Sequence, residues 1–471
     1  MIWLLFTTVD FAVFFTTVLA LSWLVPAFGT RWKLLVLLAS YVFYSWWDWR
    51  FCGLLAASTA ANQAAAEAIA RSRSAARRRT LLGLAVASGL VTLGFFKYAG
   101  FFASSLENAL GHLGIGAPLP LLQVVLPVGI SFFTFQAISY VVDVYRSTIE
   151  PASRLDFAVY LAFFPHVVAG PIVRAREFIP QLRRDPAEPR VDGARALSLI
   201  LGGLFKKMVL AGFLATAVVD PVFAAPGAHS RLEVLAAVYG YAVQIWADFS
   251  GYTDIAIGCA LLMGIRFPAN FNAPYTATSL QDFWHRWHMT LSRWLRDYLY
   301  VPLGGSRGSR LFTARNLMLT MVLGGLWHGA AWTFVVWGGI HGAFLVAERR
   351  LRGRGPDLDP ATGRLLGRLL TFHVVCLAWI FFRAESLGTA MGLLGRLVSG
   401  GGPATLVTFP VVLAIGLGIA SQYLPSGVMG RAVARFSRLA PALQGAAVAA
   451  ALVGIGVLGP QGVAPFIYYR F

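Results

Sequence analysis

Long apolar runs separated by short basic clusters set the pattern of this chain. The runs fall at about 2–28, 34–49, 52–70, 80–103, 120–145, 155–172, 194–225, 232–263, 313–347, 366–382, 407–424 and 442–459. Many approach the roughly 20 residues a helix needs to cross a hydrocarbon core about 30 Å thick. Strand-like alternation is absent, so the pattern predicts an all-α polytopic bundle and not a β-barrel. The basic clusters at 71–79, 146–154, 174–190, 286–315, 349–368 and 431–438 read as cytoplasmic loops under the positive-inside rule. The first run is too long for a signal-peptide core and reads as a retained membrane helix.

Two segments depart from this alternation. In the uncharged run from Asn316 to Ala347, Trp327-His328-Gly329-Ala330-Ala331-Trp332 places a histidine thirteen residues after Arg315. At about 1.5 Å per residue that is roughly 20 Å of helix, deep enough to make the imidazole a functional candidate by position. The glycines around it permit a break, and the run can fold as two helices joined near His328. The second segment, 282–298, repeats aromatics and arginines at helical spacing: Trp284, Trp287, Leu291, Trp294, Leu295 and Tyr298. It predicts an amphipathic helix at the membrane interface.

Composition narrows the class. Of 471 residues, 57% are hydrophobic and 13% charged, against about 25% charged in soluble proteins. The net charge of +18 is gathered between the apolar runs. That is a topology signal rather than a nucleic-acid footprint, and it is compatible with anionic lipid or an anionic cofactor. Cys52, Cys259 and Cys376 have no metal or disulfide spacing. His285 and His288 share a helical face but lack a third ligand, so no metal is expected. No Gly-x-Ser-x-Gly elbow is present, which argues against a covalent acyl-serine. Neither internal repeats nor a composition break divides the chain, so residues 1–471 read as one integral domain.

Several stretches together resemble the membrane-bound O-acyltransferase (MBOAT) family, in its bacterial branch for alginate O-acetylation and teichoic acid D-alanylation. They are LPVGISFFTFQAISYVVDVYR (126–146), FFPHVVAGPIVRAREFIPQL (163–182), GLFKKMVLAGFLA (203–215), QIWADFSGYTDIAIG (244–258), NFNAPYTATSLQDFWHRWHMTLSRWLRDYLYVPLGGSR (270–307), GLWHGAAWTFVVWGGIHG (325–342) and WIFFRAESLGTA (379–390). The C-terminal APFIYYRF resembles the alginate-type branch. The core of the likeness is 126–342.

The resemblance implies a ring of roughly eleven or more tilted transmembrane helices, with re-entrant and interfacial helices, around a thin centre and a through-membrane path. It implies acyl transfer from a cytoplasmic thioester, acetyl-CoA or another acyl thioester, with no bound cofactor. The acyl group would serve O-acetylation of an extracytoplasmic polysaccharide. The implied setting is the bacterial inner membrane. The implied partner is a periplasmic or membrane-anchored SGNH-like acyltransferase, and no nucleic acid is involved. The histidine that marks the family falls on His328, and a second family position falls on His288.

On this expectation His328 is the general base, because an imidazole near neutrality suits proton abstraction. His288 lines or orients the reaction chamber. Arg293, Arg296, Lys206 and Lys207 are candidates for donor phosphates, which suit guanidinium and ammonium groups. Asp248 and Asp254 need partners if buried; they orient His288 or pair with arginines such as Arg293 or Arg296. Trp327, Trp332, His341 and His166 are candidates to line the pathway. Two readings of another class stay open: D-alanyl or other acyl transfer from a carrier protein, and a non-enzymatic transporter or scaffold subunit.

Overall fold

The structure is a computed structural model describing residues 5–114, 125–168, 170–184, 191–351, 359–425 and 427–459. The C-terminal APFIYYRF, the start of the 120–145 run and parts of the basic clusters at 174–190 and 349–368 lie outside the described residues. Every regular element among the described residues is helical.

The expectation of eleven or more spans in a ring is not met. Among the described residues, four helices are long and apolar enough to cross a membrane: Ala75–His112, Gly193–Ala224, Pro360–Arg383 and Pro441–Leu458. A fifth is gained if Phe409–Tyr423 and Gly427–Ser437, bent by 90°, count as one broken span. The difference has a physical cause. Apolar runs outnumber membrane-length helices because the backbone interrupts them or the helices stop short. Val9–Trp23 and Ile130–Tyr145 are apolar but have only 15 and 16 residues. The 155–172 run is broken at Phe163 between Arg154–Ala162 and Phe164–Val167. The 313–347 run is broken at 329–331.

The helices gather into two compact units. The first comprises Met1–Val191 and Cys259–Pro268. Its centre is Ile130–Tyr145, which packs against Arg50–Arg71 and Ala75–Leu93. Fourteen of its residues are buried, from Ile130 to Val144 with one exception. A helix apolar all round belongs inside a bundle, and this one does. Its Tyr140 is partnered within the unit: the hydroxyl donates to Gln63 Oε1 at 2.9 Å and accepts from the Ala152 amide at 2.9 Å.

The second unit comprises Asp192–Gly258 and Ala269–Phe471, and seven of its helices matter below. They are α1 (Gly193–Ala224), α2 (Arg231–Leu262, whose last residues belong to the first unit), α3 (Leu280–Arg286), α4 (Met289–Leu295), α5 (Arg310–His328), α6 (Trp332–Leu351) and α7 (Pro360–Arg383). Helices α5 and α6 form an antiparallel hairpin whose turn follows His328 directly. Glycine sets the spacing. A Cβ on Gly325 would lie 2.2 Å from the Phe334 carbonyl oxygen, and one on Gly338 would lie 2.3 Å from the Met321 carbonyl oxygen. Backbone therefore meets backbone, and no side chain fits between.

Gly325→Ala and Gly338→Ala should each lower thermal stability by about 1–3 kcal/mol, the usual scale of overpacking. Gly339→Ala, where a Cβ meets nothing within 4 Å, is the control and should be neutral. Melting temperatures of the three purified variants check this. Equal melting of all three would show that the hairpin is not packed through its glycines.

Candidate active site

The 282–298 segment is not one continuous helix. It breaks after Arg286 and restarts at Met289, and Arg296–Tyr300 continues as a π-helical turn. The break falls on His288, which takes a left-handed backbone with φ 40° and ψ 53°. That conformation costs a non-glycine residue on the order of 1–3 kcal/mol and persists only where the surroundings enforce it. Here Asn270 enforces it. Its backbone oxygen accepts from the Met289 amide at 2.9 Å, and its side-chain Oδ1 accepts from the Thr290 amide at 3.2 Å and the Thr290 hydroxyl at 2.9 Å. One residue thus satisfies two of the orphan donors that open any helix.

His288 is fully buried and His328 is 4% exposed. Both contact Trp327: the indole lies 6.0 Å from the His288 ring and 5.1 Å from the His328 ring, centroid to centroid. Phe249 closes on His288 edge-on at 4.7 Å. Trp337 and Phe382 close on His328 at 5.1 and 5.2 Å. The two histidines therefore sit in one aromatic enclosure built from α2, α5, α6, α7 and the 287–288 break. Such walls exclude water and strengthen the electrostatics inside.

A pocket of about 410 Å³ opens beside this enclosure. Arg293, Arg296 and Arg349 line it together with His285, and Glu348 is the opposing charge. Its wall reaches both histidines along the chain. Met289 follows His288 directly, and Met321 lies seven residues, about two helical turns or 10 Å, before His328. Trp284, also in the wall, stands 5.8 Å from Trp337, which itself contacts His328. Glu348 accepts from the Leu280 amide at 2.8 Å, so it also caps α3 and fixes that wall.

The other candidates are distributed as follows. Arg293 and Arg296 are at the pocket, and Arg296 also pairs with Asp297 at 2.7 Å. Lys206 and Lys207 are not among the pocket-lining residues. Lys206 pairs with Asp254 at 2.5 Å, and Lys207 with Asp248 at 2.6 Å. Each aspartate thus has one of these lysines as an ion-pair partner. Close approach of α1 and α2 permits it: a Cβ on Gly203 would lie 2.5 Å from the Gly251 carbonyl oxygen. The π-helical stretch Phe205–Ala211 carries both lysines.

His341 is fully buried among Trp284, Trp337, Phe283 and Trp379, with Trp337 nearest at 4.7 Å. Neither ring nitrogen has a hydrogen-bond partner among the described residues. Trp332 is 55% exposed at the start of α6. His166 belongs to the first unit, where its Nε2 donates to the Tyr160 carbonyl at 2.9 Å and its ring packs among Tyr160, Phe163, Phe178 and Phe267. Those contacts are those of a packed core histidine. Among the described residues no group of three His, Cys, Asp or Glu side chains could hold a metal ion.

Asn270, Trp337, Phe382 and Arg349 were not singled out from the sequence. Only Asn270 carried a usable signal, one of two amides, with Asn272, in a short apolar and aromatic stretch. The others are ordinary at their positions until the fold brings them to the histidines or the pocket.

Comparison with known proteins gives the family. The membrane-bound O-acyltransferase family model matches residues 120–383. The chain is 43% identical over 392 residues to "Probable alginate O-acetylase AlgI" of Azotobacter vinelandii, covering 81% of this chain and 75% of that one. It is 37% identical over 393 residues to the peptidoglycan O-acetyltransferase of Helicobacter pylori, covering 78% and 73%. It is 28% identical over 279 residues to the teichoic acid D-alanyltransferase of Streptococcus thermophilus, covering 54% and 67%. With more than half of its length matched, the chain belongs to the membrane-bound O-acyltransferase family: it is a multi-pass inner-membrane acyltransferase that works from an acyl-thioester donor.

Proposed function

We propose that this protein moves an acetyl group from acetyl-CoA, or a comparable acyl thioester, to O-acetylate an extracytoplasmic polysaccharide such as alginate or another exopolysaccharide. Higher identity to the acetylases than to the D-alanyltransferase supports acetyl over D-alanyl. The observation that carries the reading is the pocket. Three arginines at its wall suit the phosphates of a coenzyme or phosphopantetheine carrier, and the same wall includes Met289, next to His288 in the chain, and Trp284, which packs on the Trp337 that contacts His328.

In this reading the donor's phosphates bind at Arg293, Arg296 and Arg349 and its thioester points toward the two histidines. His328 takes the proton of the attacking hydroxyl. The hydroxyl oxygen bonds to the thioester carbonyl carbon, the C–S bond breaks, and the thiolate leaves and is protonated. His288 positions the reacting groups, and Trp327 and His341 shape the enclosure. Lys206–Asp254 and Lys207–Asp248 hold α1 to α2 and are structural. Trp332 and His166 are left without a chemical role. The 1–471 chain acts as one integral domain, and an SGNH-like acyltransferase outside the cytoplasm receives the acetyl group.

The test is donor binding and transfer by protein in nanodiscs. Wild type should bind acetyl-CoA and transfer its labelled acetyl group. Arg293→Glu with Arg296→Glu should weaken donor binding at least 10-fold, about 1.4 kcal/mol, with the melting temperature unchanged. Unaltered donor binding by the folded double variant would remove the pocket from the donor site.

A further inference from the structure

The hydrogen bonds around Asn270 determine which nitrogen of His288 carries its proton. The Thr290 backbone amide can only donate, and it meets the Asn270 side chain at 3.2 Å. The atom there must be the amide oxygen, and the Thr290 hydroxyl at 2.9 Å donates to the same atom. His288 Nδ1 lies 3.2 Å from that oxygen. An amide oxygen accepts only, so Nδ1 must bear hydrogen. The neutral ring then keeps its lone pair on Nε2, which is buried and has no hydrogen-bond partner among the described residues. The strained φ of 40° at His288 presents the ring in this orientation.

We infer that Asn270 is a positioning residue for acyl transfer: it holds His288 as the Nδ1–H tautomer and so leaves Nε2 as an acceptor for a hydroxyl-bearing substrate. This rests on the proposed function for the identity of the substrate, but the tautomer itself follows from geometry alone. Which ring nitrogen is protonated is set by the bond the other nitrogen makes. The attacking hydroxyl gives its one proton to His328, so Nε2 accepts from a neighbouring hydroxyl of the acceptor and fixes its orientation, whereas an Nε2–H could not accept that bond.

The experiment has a spectroscopic arm and a kinetic arm. In full-length protein labelled with 15N-histidine in lipid, the His288 ring is assigned by its loss in His288→Gln. It should show a protonated Nδ1 and a bare Nε2 above its titration. A protonated Nε2 with a bare Nδ1 in wild type overturns the inference, and this reading needs no variant to fold. Asn270→Ala should lower kcat about 10- to 100-fold, the scale seen when an outer partner fixing a histidine ring is removed, with donor affinity kept. It should also yield a mixture of tautomers. Asn270→Asp retains the acceptor and should recover much of the loss. A folded Asn270→Ala with wild-type kcat overturns the positioning role. Normal transfer by folded His288→Ala would also overturn the positioning role, whereas no transfer by wild type from any acyl thioester, with the Nδ1–H signal intact, would instead fault the proposed function.

Discussion

His328→Ala should fold and insert normally and yet lose acyl transfer by about 10²–10⁴-fold, the usual worth of general-base assistance. Position and packing both motivate this. His328 ends α5 at the turn of a hairpin held together through backbone contacts at Gly325 and Gly338, so its place does not depend on its own side chain. Its ring is enclosed by Trp327, Trp337 and Phe382. Truncation opens space inside that aromatic wall without leaving a buried charge unmatched. Transfer from a labelled thioester donor, with melting temperature as the folding control, is the measurement. Turnover within a few-fold of wild type by folded His328→Ala would remove the catalytic assignment and favour a transport or scaffold role.

Asp248→Ala should act on stability instead, costing about 3–5 kcal/mol, as is usual when one member of a buried ion pair is removed. The side chains of Lys207 and Asp248 are 4% and 9% exposed and 2.6 Å apart. Without the carboxylate the ammonium stays buried against α2, because Gly203 and Gly251 hold the two helices in backbone contact and leave it little room to swing out. Replacing both partners with apolar residues of similar size, Asp248→Leu with Lys207→Met, should recover most of the loss, since the desolvation cost disappears with the charges. Asp254→Ala should cost much less. The Lys206–Asp254 pair is 21% and 29% exposed, and partly solvated pairs contribute about 0–1 kcal/mol. Thermal melts in detergent and in lipid rank the variants. Equal destabilisation by Asp248→Ala and Asp254→Ala would show that burial does not set the worth of these pairs.

The sequence by itself determined the all-α class, the family and the functional candidacy of His328. An ionisable group in an uncharged apolar run is costly, so its presence is informative before any coordinates are known. Glycines before and after it also foretold the hairpin, because only glycine permits backbones that close. What stayed hidden depends on backbone breaks and on partners distant in sequence. Hydropathy cannot distinguish a run that crosses a membrane from one broken at Phe163 or 329–331, and the span count failed for that reason. Aromatic spacing in 282–298 was real, but the left-handed turn at His288 is imposed from Asn270, eighteen residues earlier. Lys206 and Lys207 looked like phosphate ligands because charge is visible in sequence and its partner is not. Only the approach of α1 to α2 committed them to Asp254 and Asp248. Local pattern fixes which residues are costly to bury; the tertiary structure alone decides what they are buried against.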